Sequence, residues 1–211
     1  CKKNKIKTSC YIRPFYFVGQ YGINLHVTKK APTHAVVFCF PFGDLFNKNG
    51  ITACISKWRK FNDSSTPTQA KMGGNYLNSI LATQDAKKRK FDEAILLDKN
   101  NKVSEAPGEN IFIVKNNTLI TPPLSSSALD GITRKSILEF TKSMKVKTKI
   151  KEITKDELKK ADEVFLTGTA AEITPVIKIE SKKIGEGKVG DITKQVMDTY
   201  TQIVMNNNKK F

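Results

Sequence analysis

The sequence predicts a mixed α+β fold, and three observations lead to this prediction. Apolar runs of strand length, about four to eight residues, recur along the whole chain. Only a few stretches show the spacing of an amphipathic helix. The two kinds of segment do not alternate as regularly as in a βαβ array. With 211 residues, against about 150 per domain, the chain has room for one or two domains.

Two strands are predicted before a break at residues 41–44. Residues 8–19 and 34–40 are rich in aromatic and β-branched side chains, which favour extended backbone. Proline and glycine in the break end the second apolar run. The prediction therefore divides the chain into three parts: a first domain at residues 1–44, an interdomain loop at 45–50 and a larger domain at 51–211.

The larger domain is predicted to combine short strands with three helices. Strands are predicted for six runs: 51–56, 93–97, 102–105, 110–114, 118–120 and 163–166. Helical spacing places apolar side chains on one face in three stretches: 69–88 with Tyr76, Ile80 and Leu81; the segment after Thr133 with Ile137, Leu138 and Phe140; and 191–205 with Ile192, Val196, Tyr200 and Ile203. The face after Thr133 is predicted to point inward, and the stripe of 191–205 is predicted to pack into the core rather than to bind a partner.

The chain is strongly basic, with 36 Lys and Arg against 20 Asp and Glu and a formal net charge of +16. Arginine, which supplies most bidentate phosphate and base contacts, occurs only four times. Lysine is instead spread along the chain beside abundant asparagine. We therefore predict a solvated lysine surface and no nucleic-acid partner. No window approaches about 18 apolar residues, so no membrane span is predicted.

Cysteine and histidine exclude several chemistries. The four cysteines show no CxxC spacing, so neither a metal site nor a thioredoxin-like motif is predicted, and reduced, mostly buried thiols suit a cytoplasmic protein. The two histidines, His26 and His34, lie near the start of the chain, and their spacing excludes an HExxH motif. Residues 185–190 match GxGxxG, but no strand follows to close a dinucleotide site, and a turn is predicted there. Lysine, carboxylates, tyrosine or a cofactor must therefore carry any chemistry.

Seven segments follow one another in a fixed order: YIRP (11–14), KMGGNY (71–76), DEAILLD (92–98), SEAPGENIF (104–112), LITPP (119–123), ALDGITR (128–134) and GTAAEITPV (168–176). The series resembles the class IV, or fold type IV, pyridoxal-phosphate aminotransferases. The first and last segments resemble the bacterial-type branched-chain amino-acid aminotransferases. The resemblance extends from about Tyr11 to the end of the chain, and several motifs in order are far more specific than one.

This resemblance implies an enzyme with pyridoxal 5′-phosphate (PLP) as cofactor. The expected reaction is ping-pong transamination between leucine, isoleucine or valine and 2-oxoglutarate through a lysine Schiff base. Lys71 matches the lysine that binds the cofactor and moves the proton. Glu105 matches the carboxylate that keeps the ring nitrogen protonated, with Glu109 as the competing candidate. Tyr76 matches the residue that contacts the ring 3′-oxygen.

The remaining site residues are also assigned by the resemblance. Ile132 and Thr133, at the start of a predicted helix, would bind the cofactor phosphate together with Thr169, and Leu129 would lie against the ring. Four residues are expected to contact the substrate: Tyr11, Arg13, Thr169 and Ala170. The implied fold is a large mixed-sheet pseudo-barrel domain plus the remnant of a smaller α/β domain.

The chain departs from the family pattern in its first part. The N-terminal part of the small domain, which carries a phosphate-binding arginine, has no counterpart here. The loop at residues 40–50 is short, and Phe42 stands where a tryptophan is common. Members of the family form homodimers or larger oligomers, so self-association is expected.

Three alternatives remain open. A D-amino-acid transaminase or an aminodeoxychorismate lyase shares the fold, although residues 11–14 and 168–171 favour the branched-chain enzymes. A non-enzymatic basic binding domain would show salt-sensitive binding that survives Lys71→Ala. The chain as given could also fold and be catalytically silent.

Overall fold

The computed structural model describes residues 1–23, 25–144 and 146–205. The chain separates into two compact units, Cys1–Leu45 and Phe46–Phe211. That the first is the remnant of a substrate-side domain and the second a PLP domain stays a prediction. Within the described part of the chain, no helix combines the length and apolar character needed to cross a membrane.

The first unit contains an antiparallel pair of strands, as the sequence predicts. Strand β1 (Cys10–Val18) pairs with β2 (Thr33–Pro41) over its whole length, so that Tyr11 lies opposite Phe40. Apolar side chains such as Val37 remain exposed on this ribbon. Only Cys54, in the second unit, is a buried cysteine, so the prediction of mostly buried thiols is wrong. Cys1 is exposed, and Cys10 and Cys39, one on each strand of the ribbon, are only partly buried.

The second unit is built on one mixed sheet with four helices in its described residues. Its strands are β3 (Ile51–Arg59), β4 (Glu93–Leu97), β5 (Asn110–Lys115), β6 (Thr118–Thr121), β7 (Lys147–Ile150), β8 (Glu163–Gly168), β9 (Glu172–Ile179) and β10 (Lys182–Lys183). Its helices are α1 (Tyr76–Lys88), α2 (Ile132–Phe140), α3 (Lys155–Lys159) and α4 (Asp191–Met205). The strand order is β4-β3-β9-β8-β5-β6-β7, with β10 beside β9.

Strand directions in this sheet are mixed. Strand β3 is parallel to both β4 and β9, and β6 is parallel to β7. Strands β6, β5, β8 and β9 are antiparallel to their successive neighbours. Parallel and antiparallel pairs in one sheet, with helices beside it, confirm the predicted α+β class and exclude a regular βαβ array.

Strands β4, β5 and β8 are buried on both faces, which explains their continuous apolar runs. Along β5, Ile111 and Ile113 face one core cluster while Phe112 and Val114 face another. Helices α2 and α4 both pack against the second cluster. Helix α2 contributes Ile137, and α4 contributes its predicted apolar stripe, including Val196. The predicted core faces of these two helices are therefore confirmed.

Several predicted boundaries are wrong. The helix predicted from residue 69 begins at Tyr76, after a 3-10 turn at Gly73–Asn75, because two glycines disfavour a regular helix start. Residues 102–105 form only one isolated bridge, from Val103 to Leu97, instead of a strand. The segment 185–190 is a turn before α4, as predicted. Strands β7, β9 and β10 and helix α3 were not predicted, because they are short or contain a proline.

Candidate active site

One cavity of the second unit, with a volume of about 310 Å³, collects most of the predicted site residues. Seven of them line it: Lys71, Tyr76, Glu105, Leu129, Ile132, Thr133 and Thr169. Ala170 follows Thr169 on the same turn but is not among the lining residues. Tyr11 and Arg13 belong to the first unit. The roles assigned to all ten residues stay predictions.

Lys71 lies on the loop that leads into α1. The loop is tied down on both sides of the lysine, since Gln69 donates to the Ala128 carbonyl at 2.8 Å and Asn75 to the Ala70 carbonyl at 3.4 Å. The Lys71 side chain is exposed in the cavity, with Nζ 5.7 Å from the ring centre of Tyr76. Among the described residues no carboxylate forms an ion pair with Lys71. Its backbone is therefore fixed while its amine stays available.

Glu105 is a buried carboxylate that is held by donors on both oxygens. Its Oε1 lies 2.6 Å from Nζ of Lys60, and the two side chains are 6% and 13% exposed. Its Oε2 accepts hydrogen bonds from the Leu129 backbone N–H at 2.8 Å and from Asn110 Nδ2 at 3.0 Å. These contacts come from three separate segments, so the orientation of the carboxylate is strongly determined.

Asn110 links Glu105 to the turn before α2. Its Nδ2 also donates to the Leu129 carbonyl at 2.8 Å, so one amide group holds both the carboxylate and the turn. Gly131 makes this packing possible, because a Cβ at that position would collide with Asn110 Oδ1. The carboxylate and the start of α2 are thereby kept at a fixed spacing.

Helix α2 begins at the cavity without a side-chain cap. Gly131 occupies the N-cap position, and the N–H groups of the first turn have no partner inside the helix. Such a terminus attracts anions through its free donors and its dipole. Arg134, in the first turn of α2, ties this end of the helix to the preceding segment by donating to the Pro122 carbonyl at 3.0 Å. Burial lowers the pKa of the Arg134 guanidinium.

The turn between β8 and β9 forms another wall of the cavity. It carries Thr169, which is exposed, and Ala170. At Gly168 a Cβ would lie 3.2 Å from the Gly108 carbonyl oxygen, so a small residue lets this turn approach the loop that contains Glu109.

Glu109 lines the same cavity in a different environment. Burial, helped by the neighbouring Glu93 carboxylate, raises the pKa of Glu109 to about 7. Among the described residues its side chain accepts one hydrogen bond, from the Gly108 N–H at 3.1 Å. Glu105, with three donors, is therefore held more firmly than Glu109, and the preference for Glu105 that the family resemblance implies stays a prediction.

The two substrate candidates of the first unit are neighbours on β1. The Arg13 guanidinium lies 5.1 Å from the ring centre of Tyr11, and Nη2 is 3.5 Å from its hydroxyl. Phe40 and Phe42 pack around the same ring, at 5.8 and 5.4 Å between ring centres. Tyr11 and Arg13 thus share one face of the ribbon.

Sequence reasoning missed Lys60 and Asn110. Lys60 is one of many lysines, and nothing in its neighbourhood along the chain marks it as buried. Asn110 was placed only at the start of a strand. In the ranges that the structure describes, no group of three or more His, Cys, Asp or Glu side chains is arranged to hold a metal ion.

Comparison with known proteins gives consistent results. The sequence profile of amino-transferase class IV matches residues 1–179. The branched-chain-amino-acid aminotransferase of Escherichia coli (strain K12) is 40% identical over 203 residues, which cover 94% of this chain and 65% of that protein. The chain therefore spans about two thirds of the length of this relative.

Solved structures agree with the sequence comparison. The branched-chain aminotransferase of Thermoproteus uzoniensis, solved with norvaline, has a TM-score of 0.94 at 38% identity, over 99% of this chain and 69% of that chain. The branched-chain amino acid aminotransferase of Thermobaculum terrenum, in its PLP form, has a TM-score of 0.90 at 30% identity, over 98% of this chain and 68% of that chain. The predicted family and the fold type IV architecture are confirmed, and the chain belongs to the amino-transferase class IV family.

Proposed function

We propose that the protein is a PLP-dependent transaminase that transfers the amino group of branched-chain L-amino acids to 2-oxoglutarate. The observation that carries the proposal is one cavity that combines an available lysine amine, a fixed buried carboxylate and an uncapped helix start. Sequence similarity along nearly the whole chain supports the same activity.

The cavity fits the chemical features of PLP. An aldehyde needs an amine, a ring nitrogen needs an acceptor and a phosphate needs several donors. Lys71, Glu105 and the first turn of α2 supply these three functions. The volume of about 310 Å³ lies at the lower end of the range for small-molecule sites.

PLP supplies an electron sink that stabilises negative charge at the substrate α-carbon. We assign Lys71 as the residue that anchors the cofactor, and its Nζ as the atom that then carries the proton. The second lysine of the cavity, Lys60, is a weaker candidate for this role because its amine is engaged by Glu105 at 2.6 Å.

The other residues hold and orient the bound molecules in this proposal. Glu105 accepts a hydrogen bond from the ring nitrogen, and the Tyr76 hydroxyl contacts the ring 3′-oxygen. The phosphate is held by the N–H groups of Ile132 and Thr133 and by the hydroxyls of Thr133 and Thr169. Leu129 packs against the ring.

Substrate recognition is assigned to two regions. The backbone N–H groups of Thr169 and Ala170 would receive the α-carboxylate. Tyr11 and Arg13, which share one face of the ribbon in the first unit, are also assigned to substrate recognition.

Self-association and a cytoplasmic location complete the proposal. Apolar side chains near the cavity are exposed, including Leu77 and Ile80 on α1 and Ile132 at the start of α2, as expected for a face that a second copy covers. Light scattering after gel filtration would test self-association. The four free thiols suit a reducing compartment.

The proposed attachment site can be tested by chemical labelling. The protein is incubated with PLP, reduced with borohydride, digested and analysed by mass spectrometry. We expect the phosphopyridoxyl mass on the peptide that contains Lys71. The visible absorption of the PLP complex should be lost in Lys71→Ala and kept in Lys151→Ala, which changes an exposed lysine.

The substrate class is tested separately by turnover. L-leucine with 2-oxoglutarate should react in the wild type and not in Lys71→Ala, whereas D-alanine should not react. Labelling of Lys60 in place of Lys71 would overturn the assigned anchor. Failure of the wild type to bind PLP would overturn the function as a whole.

A further inference from the structure

The backbone around Lys60 is fixed by two neighbouring elements. Lys60 directly follows the last residue of β3, and its N–H donates to the Leu97 carbonyl at the end of β4, at 2.8 Å. The preceding Arg59 carbonyl accepts from Asn78 of α1 at 2.9 Å. The base of the lysine side chain therefore has little freedom.

The far end of the side chain meets Glu105 inside the cavity. The 2.6 Å ion pair is much less exposed than other equally short ones, such as Lys151–Glu157, whose side chains are 45% and 41% exposed. Ion pairs in water contribute little, whereas removing one partner of a buried pair leaves an uncompensated charge at a high cost. Glu105 thus depends on Lys60 more than a surface carboxylate depends on its partner.

The ion pair also restricts the orientation of the Glu105 carboxylate. Oε2 is occupied by the Leu129 N–H and by Asn110, while Oε1 meets the single cation Lys60 among the described residues. With donors on both oxygens, the carboxylate plane cannot rotate without loss of a charge-assisted hydrogen bond.

We propose that Lys60 is a positioning residue that fixes the orientation of the Glu105 carboxylate and compensates its charge, so that Glu105 can receive the ring nitrogen of the cofactor. The inference rests on the proposed function, since it assumes that PLP occupies the cavity. Lys60 acts through Glu105 and has no assigned contact with substrate.

The test compares three single variants in PLP titrations followed by visible absorption. Lys60→Met should weaken PLP binding by about tenfold or more, because Glu105 loses its counter-ion. Lys60→Arg, which keeps the charge, should recover most of the affinity. Lys151→Met removes an exposed ion pair of equal length and should leave the affinity unchanged. The pH profile of the absorption should shift in Lys60→Met and return in Lys60→Arg.

A double variant separates positioning from general stability. In a Glu105→Gln background, Lys60→Met should change PLP affinity by less than about twofold, since its target is already removed. Should Lys60→Met fail to fold, Lys60→Gln provides the same comparison with a neutral donor. Wild-type affinity and pH profile in the Lys60 variants, or an undiminished effect in the Glu105→Gln background, would overturn the inference.

The outcomes distinguish this inference from the proposed function. If the wild type binds PLP on Lys71 and the Lys60 variants behave as wild type, only the role of Lys60 is wrong. If the wild type does not bind PLP, both proposals fall.

Discussion

Replacing Gly131 by alanine should test whether the turn before α2 is held by Asn110. The backbone φ of Gly131 is −67°, which any residue adopts, so alanine introduces no backbone strain. Its Cβ would instead collide with Asn110 Oδ1. The amide must move, and its bonds to Glu105 and to the Leu129 carbonyl are then weakened together.

The expected cost follows from these two hydrogen bonds. A bond to a charged group contributes about 1.5–3 kcal/mol and a neutral one about 0.5–1.5 kcal/mol. Replacing glycine where alanine fits the backbone returns about 0.4–1 kcal/mol through the unfolded state. If both bonds are lost, we therefore expect Gly131→Ala to lower the free energy of unfolding by ~1–4 kcal/mol.

Urea unfolding followed by the fluorescence of Trp58 is a suitable assay, since this is the single tryptophan and lies on β3 of the second unit. Gly73→Ala is a matched control, because a Cβ there meets no atom within 4 Å. In an Asn110→Ala background the cost of Gly131→Ala should largely disappear. A wild-type urea midpoint for Gly131→Ala, or an equal cost in both backgrounds, would refute this explanation.

Three further predictions address other parts of the second unit. Thr154→Ala should destabilise the protein by about 1 kcal/mol in urea unfolding, because Thr154 and Glu157 form a reciprocal capping box at α3. Phe165→Ala should cost about 3–5 kcal/mol, since this ring is fully buried and stacks on Phe112 at 5.1 Å; an exposed-site cost below 1 kcal/mol would contradict this. Burial raises the pKa of Glu109 from 4.5 to about 7, so the folded state binds more protons than the unfolded state and stability falls as pH rises through this interval. Glu109→Gln should therefore raise the melting temperature above that of the wild type by more at pH 8 than at pH 5. An equal difference between variant and wild type at the two pH values would contradict this prediction.

The apolar pattern predicted most of the sheet because β5 and β8 are buried on both faces. Residues 110–114 and 163–166 were recognised as strands from continuous apolar runs, and both are strands. The stripe of α4 was predicted over its whole length, because its polar and apolar residues follow the helical period. These elements can be predicted because their burial leaves a pattern of apolar residues in the local sequence.

The missed elements depend on partners far away in the chain. β9 contains Pro175 and pairs with both β8 and β3, so tertiary pairing overrides a residue that usually opposes strands. Besides the two glycines that delay the start of α1 to Tyr76, the preceding loop is tied to Ala128 by the hydrogen bond from Gln69. No local pattern contains such long-range contacts.

The candidate site shows the same division. Motifs placed Lys71, Glu105 and Thr133 because each lies in a segment with a distinctive order of residues. Lys60 and Asn110 carry no such mark, and only their distances to Glu105 reveal them. Family motifs therefore propose the candidate ligand-binding residues, whereas geometry reveals the side chains that contact those candidates.

Glu105 and Glu109 show that the neighbours of a carboxyl group, and not its residue type, determine its properties in this cavity. They lie four positions apart, and both are buried. Glu105 meets a cation and two N–H donors, which suits a fixed acceptor. Glu109 receives one donor and lies near the Glu93 carboxylate, and its pKa of about 7 allows it to hold a proton near neutral pH. The cavity therefore presents two carboxyl groups in different surroundings: Glu105 is held by Lys60 and two N–H donors, whereas burial allows Glu109 to hold a proton near neutral pH.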